Sequence, residues 1–285
     1  MRWSPGRRSR NLIDRRGARS LGGGMGLGRL GLGGTVVVII LSLVFGQDFL
    51  GLLGDTSGVA PTESTGGAIV AGPEEERMVQ FVSFVLDDAQ TVWANKFREA
   101  GQPWQDAQLV LFRDATSTAC GYGQSASGPF YCPGDQRVYI DLGFFEELSG
   151  RYGASGDFAQ AYVLAHEIGH HVQNALGTEA QLRQLQRGNP SDANALSVRM
   201  ELQADCYAGI WANSTAQRDI LDRGDVDEGL AAAAAVGDDR LQRMGGGRVN
   251  PDALTHGTSE QRMEWFQRGF SGGRVDACDS FADLR

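Results

Sequence analysis

No Cys-x-x-Cys pair occurs in the 285 residues, no segment repeats, and only one hydrophobic stretch is long enough to cross a bilayer. The first absence argues against a thiolate-bound zinc, the second against a repeat architecture, and the third against a multi-span membrane protein. Gly26-Leu27-Gly28-Arg29-Leu30-Gly31 matches G-x-G-x-x-G, but no strand precedes it and no βαβ unit surrounds it, so a dinucleotide site is excluded. Histidine is scarce as well. There are four, yet His166, His170 and His171 fall within six positions.

The spacing of that cluster carries chemistry. His166-Glu167-Ile168-Gly169-His170 reads H-E-x-x-H. A helix turns about 100° per residue, which leaves positions i and i+4 about 40° apart on one face. Two imidazoles so placed can hold one Zn²⁺, with the Glu167 carboxylate directed at a water on the metal. The setting is helical: Asp157 is a candidate N-cap, and Phe158, Ala161, Tyr162, Ala165 and Ile168 recur at three- and four-residue spacing. Val172 and Leu176 continue the run and Gly177 closes it. Gly169 lowers helix propensity and marks a place where another backbone or a ligand approaches closely. His171 sits about 100° around from His170, which assigns it to support or to the surface rather than to the metal.

A catalytic zinc site needs a third protein ligand. Glu201 and Asp205 are again i and i+4, on a second helix expected from about 191 to 212. Glu201 is the candidate ligand, and Asp205 the acceptor of the free N–H of a ligand imidazole, which fixes tautomer and ring orientation. The alternative is two solvated acids on an amphipathic helix. Their neighbours Leu202, Ala204, Cys206, Ala208, Ile210 and Trp211 are small or apolar and speak for burial.

These blocks, with Thr255-His256-Gly257-Thr258-Ser259-Glu260-Gln261-Arg262 and the N-terminal Arg2-Trp3, Arg7-Arg8-Ser9 and Asp14-Arg15-Arg16-Gly17, resemble the bacterial neutral zinc metallopeptidase family. The likeness spans most of the chain and is weakest between about 46 and 72. It implies a zincin-like fold and metallopeptidase chemistry, with His166, His170 and Glu201 as ligands and Glu167 as general base. His256 lies in a turn-like stretch before a helix, where it can reach the site to stabilise an oxyanion or contact substrate, or remain a surface loop residue. Arg262 is the other candidate for that part, or a brace for the loop.

Residues 1–29 hold eight Arg against one acid, Asp14, in a chain whose net charge is −9. Leu30 to Gln47 are eighteen uncharged residues, a helix of about 27 Å against a bilayer core of about 30 Å. Read as a topology signal, the Arg-rich flank predicts a basic cytoplasmic segment (1–29) and a transmembrane anchor with its juxtamembrane residues (30–53). A flexible linker (54–72) and a zinc metallopeptidase domain (73–285) in the periplasm or cell exterior follow. This makes the lipid bilayer a partner through residues 30–47 and the inner membrane the location, and it excludes nucleic acid as the partner of the basic run. Seventeen of the 40 glycines fall in the first 72 residues, which discourages regular structure there.

The remaining 210 or so residues suffice for one sizeable core. Helices are expected from Pro73, over 227–236 and over 259–270, and strands over 109–112 and 137–142; the resemblance implies that the latter, just before the motif helix, is a substrate-pairing edge. The fold class is therefore α+β, mainly helical. The four cysteines allow three pairings; Cys120–Cys132 with Cys206–Cys278 is the favoured one, and free thiols the alternative. The reading that results is a membrane-anchored zinc endopeptidase acting on protein or peptide substrates, the rival being a non-catalytic membrane-tethered zinc-containing binding domain.

Overall fold

The computed structural model describes residues 1–18 and 71–284. Helix α1 (Pro73–Glu99) opens on Pro73 with Glu74, Glu75 and Glu76 in its first turn and closes with Lys96 and Arg98, so both ends complement the helix dipole. Its stripe of Val82, Leu86, Ala89, Trp93 and Phe97 is buried against the rest of the domain. A four-stranded sheet follows, in the order β1 (Leu12–Asp14), β2 (Gln108–Phe112), β6 (Arg137–Asp141), β5 (Phe130–Cys132). The first three strands run parallel, and β5 runs antiparallel to β6. Strands β3 (Ala115–Thr118) and β4 (Gly121–Gln124) form a separate hairpin. Leu109, Leu111, Val138 and Ile140 face the helical core, while Val110, Phe112 and Tyr139 pack with Cys132 on the opposite face. Alternation thus gives the sheet two buried faces.

Among the described residues the further α-helices are α2 (Gly143–Gly150), α3 (Asp157–Ala175), α4 (Thr178–Gly188), α5 (Ala193–Gln217), α6 (Asp225–Ala235), α7 (Asp238–Met244) and α8 (Ser259–Gly272). Helix α3 is buried on nearly every side, and α5 packs on it and on α8. The crossings are close. A Cβ on Gly169 would lie 2.9 Å from the Ala204 carbonyl oxygen, and one on Gly269 would lie 1.9 Å from that of Cys206. Cys120 is bonded to Cys132 and Cys206 to Cys278, the pairing expected. The mainly helical α+β class stands, with differences in detail. Asp157 is the first helical residue of α3 rather than its cap, and β6 lies inside the sheet, so that β5 is the edge.

The expected membrane anchor is corrected. Residues 30–47 lie outside the described residues, and among the described residues no helix is long and apolar enough to cross a membrane. The topology drawn from that span fails on β1, whose Leu12, Ile13 and Asp14 pair with Leu109, Val110 and Leu111 of β2. Neighbouring strands lie about 4.8 Å apart, so both are on one side of any bilayer. A single crossing cannot leave residues 1–29 in the cytoplasm and the zinc-motif domain outside. The Arg-rich run has another physical reason. Arg2 pairs with Asp222, Arg8 with Glu76 and Asp14, and the buried Arg16 with Asp14 at 2.6 Å and Glu75 at 2.7 Å. Those charges bind the domain's own carboxylates instead of marking a cytoplasmic flank. The single-pass inner-membrane topology does not hold, and the described residues contain no spanning helix on which a bilayer partner or membrane anchoring could rest.

Candidate metal centre

Helix α3 presents His166 and His170 from one face, their ring centroids 4.8 Å apart and their planes nearly perpendicular. Helix α5 brings Glu201 to them. Nε2 of His166 lies 3.1 Å from Glu201 Oε2, and Nε2 of His170 lies 3.6 Å from Oε1. One donor atom from each of the three converges within 4.8 Å, a two-imidazole, one-carboxylate set of the kind zinc takes. Among the described residues the other convergent group, Asp157, Asp225 and Glu228, is all carboxylate, and the Met1 ammonium pairs with two of its members.

Glu167 lies between the two histidines in sequence and is buried with them. Its Oε2 has no hydrogen-bond partner among the described residues. Burial raises the pKa of this carboxyl, opposed by the imidazoles of His170 and His166. A buried acceptor without a donor is costly unless a ligand or water meets it. That orphaned oxygen beside a two-nitrogen, one-carboxylate set is what fits the residues to a zinc ion and its water.

Each imidazole is held from behind. His166 Nδ1 donates to Asp205 Oδ1 at 2.8 Å. Asp205 is fully buried, and Arg262 forks onto it, Nε to Oδ2 at 2.8 Å and Nη2 to Oδ1 at 2.9 Å. Tyr162 donates its hydroxyl to the same carboxylate. Burial disfavours the Asp205 anion, but Arg262 and then His166 outweigh it and hold the pKa below the usual carboxylate range. Arg262 therefore braces Asp205, and its remaining nitrogen donates to the Val236 carbonyl at 3.2 Å. His170 Nδ1 lies 2.8 Å from Gln173 Oε1. Sequence reasoning missed Gln173, although its position three residues after His170 places it on the same helix face.

His171 is buried and turned away from the group. Its Nε2 donates to the Gln105 carbonyl at 2.7 Å, which leaves Nδ1 to accept from the Tyr131 hydroxyl at 2.9 Å. It clamps the edge strand β5 and the 104–106 loop to the motif helix. His256 stands on the loop before α8, 46 % exposed, with Nδ1 3.1 Å from Asp238 Oδ1. Asp238, also missed from sequence, accepts the backbone N–H groups of Thr255 and His256 at 2.6 and 2.7 Å and so fixes the loop. Partial desolvation works against the charged ring, but Glu201 and Asp238 outweigh it and raise its pKa, so His256 lies within the electrostatic reach of Glu201.

The chain belongs to the family described as "Putative neutral zinc metallopeptidase", whose profile matches residues 1–281. It is 46% identical over 287 aligned residues to the Escherichia coli (strain K12) protein named "Uncharacterized protein YpfJ", covering 99% of each chain. It is also 46% identical over 189 residues to "Uncharacterized protein Rv2575" of Mycobacterium tuberculosis (strain ATCC 25618 / H37Rv), covering 62% of this chain and 63% of that protein. No solved structure matches.

Proposed function

We propose that this protein is a zinc-dependent endopeptidase in which His166, His170 and Glu201 hold the metal and Glu167 is the general base. One observation carries the reading: Nε2 of His166, Nε2 of His170 and the Glu201 carboxylate converge beside a buried Glu167 oxygen that has no partner. Zinc held there supplies a Lewis acid that polarises a carbonyl and acidifies a water. Glu167, its pKa raised by burial, takes the proton of that water and delivers it to the leaving amine. Asp205 keeps the His166 proton on Nδ1, so that Nε2 offers its lone pair to the metal. His256, held by Asp238, is the donor available to an oxyanion forming on the Glu201 side. The edge strand β5, clamped to α3 through Tyr131 and His171, offers backbone for an extended peptide to pair with.

The test is Glu167→Gln, which keeps shape and removes the base. The variant is expected to fold, to bind one zinc and to lose peptide hydrolysis by roughly 10²–10⁴-fold or more. Equal cleavage by wild type and variant moves the chemistry elsewhere. Absence of cleavage by zinc-loaded wild type across a broad peptide library favours a zinc-containing binding domain.

A further inference from the structure

The two imidazoles are oriented by different means, one by a charge and the other by a chain of neutral amides that ends on backbone. The Cys278 carbonyl can only accept, so it is Gln203 Nε2 that points at it, at 3.0 Å. Gln203 Oε1 is thereby turned toward Gln173, whose Nε2 donates to it at 3.1 Å. The same Gln173 nitrogen donates to the Met200 carbonyl at 2.7 Å, which uses both of its protons. Oε1 of Gln173 is then the atom left to face His170 Nδ1, at 2.8 Å. An amide oxygen accepts only, and Nε2 stands 3.6 Å from Glu201 Oε1, beyond hydrogen-bond distance, so the neutral His170 carries its proton on Nδ1 and leaves the Nε2 lone pair toward Glu201.

Both glutamines are buried, Gln173 completely. Reversing either amide would set oxygen against carbonyl oxygen at the backbone end, so the direction of the whole chain is determined by where two carbonyls lie. One of them, Met200, belongs to α5. The other belongs to the C-terminal segment, and the Cys206–Cys278 disulfide returns that segment to α5 three residues after Gln203. His166 has no such arrangement, being held by the anionic Asp205 with Arg262 behind it.

We propose that Gln173 and Gln203 are positioning residues that set the tautomer of His170, with the disulfide-pinned Cys278 carbonyl as the fixed end of their relay. The proposal rests on the reading of His170 as a metal ligand, and it concerns binding rather than turnover. It also assigns the Cys206–Cys278 bond a part in the metal centre, because releasing Cys278 frees the end that orders both amides.

The full chain, labelled with ¹⁵N-histidine and free of metal at alkaline pH, is expected to show the His170 proton on Nδ1 in long-range ¹H–¹⁵N spectra. Zinc affinity is then measured by competition with a chromophoric chelator. Gln173→Leu is expected to bind zinc about 10–100-fold more weakly, and Gln173→Glu, which keeps an acceptor for Nδ1 but sets its second oxygen against the Met200 carbonyl, to lose less than Gln173→Leu. Gln203→Leu should lose less than about tenfold, since Met200 still orients Gln173. A wild-type His170 protonated on Nε2 overturns the relay whatever the metal does, and that spectrum needs no variant to fold. Wild-type affinity in Gln173→Leu, or equal losses in the Leu and Glu variants, overturns it as well. Unchanged zinc affinity in Glu201→Ala instead removes the ligand reading, and with it the link between relay and metal.

Discussion

A histidine must give up a proton to bind metal, and His166 holds its proton firmly. Burial disfavours the imidazolium, yet Asp205 and then Glu201 outweigh it and push the pKa up to about 9. The metal-free protein therefore gains stability from the protonated His166 pair. That gain is fully present below the unfolded value of about 6.5 and is lost as the pH rises through about 9. Zinc affinity has the opposite sign, because metal competes with that proton. Affinity is expected to climb by about one decade per pH unit per proton displaced and to level off above about pH 9. His170, its pKa also raised, adds a second displaced proton and steepens the climb. Chelator competition across that range checks it. A flat profile means that neither imidazole is a ligand. The same residue scale explains what was legible in the sequence. H-E-x-x-H, Glu201 and Asp205 all declare themselves through i, i+4 spacing. The partners Asp238 and Gln203 reach the site only through tertiary contacts that no local pattern carries.

At the scale of elements, the metal centre depends on how closely α3 and α5 cross. Gly169 was readable as a place of close approach, and the backbone it meets is Ala204. His166 and His170 lie three residues before and one after this contact, and Glu201 and Asp205 lie three before and one after Ala204. Any wedge at the crossing therefore moves donors apart on both helices. Gly169→Val adds a branched side chain where even a Cβ would lie 2.9 Å from a carbonyl oxygen. Overpacking of this kind costs about 1–3 kcal/mol, which outweighs the few tenths gained in helix propensity. Melting should fall by about 2–4 °C per kcal/mol, and zinc affinity should fall with it. A variant that melts higher and binds zinc normally shows that the helices slide without separating the ligands. The long buried helices were legible because apolar residues recur along them. Helix α4 shows only Leu182 and Leu185 against the core, and strands β3 to β5 are three or four residues long, so neither gives a period to detect.

At the scale of the whole molecule, the least readable feature was the union of the first eighteen residues with the domain. Parallel pairing is non-local by nature, and two apolar residues, Leu12 and Ile13, are too few to announce a strand within an arginine-rich run. Charge density was read as topology, whereas the ion pairs of Arg8 with Glu76 and of Arg16 with Glu75 tie the N-terminal segment to the start of α1. The sheet makes this testable. Leu109 N–H donates to the Asn11 carbonyl at 2.8 Å and Arg15 N–H to the Leu111 carbonyl at 2.7 Å, so the backbone of β1 is laced into β2 at both ends. Amides within a laced strand exchange with solvent only when the strand opens. Hydrogen exchange read by mass spectrometry should show the segment spanning Leu12–Asp14 exchanging at least about 10²-fold more slowly than an unstructured peptide. Ile13→Pro, which cannot donate from the middle of the ladder, should remove that protection and speed exchange in β2 as well. Full exchange of the wild-type segment within seconds would detach the N-terminal residues from the sheet and reopen the question of where they lie relative to the metal centre.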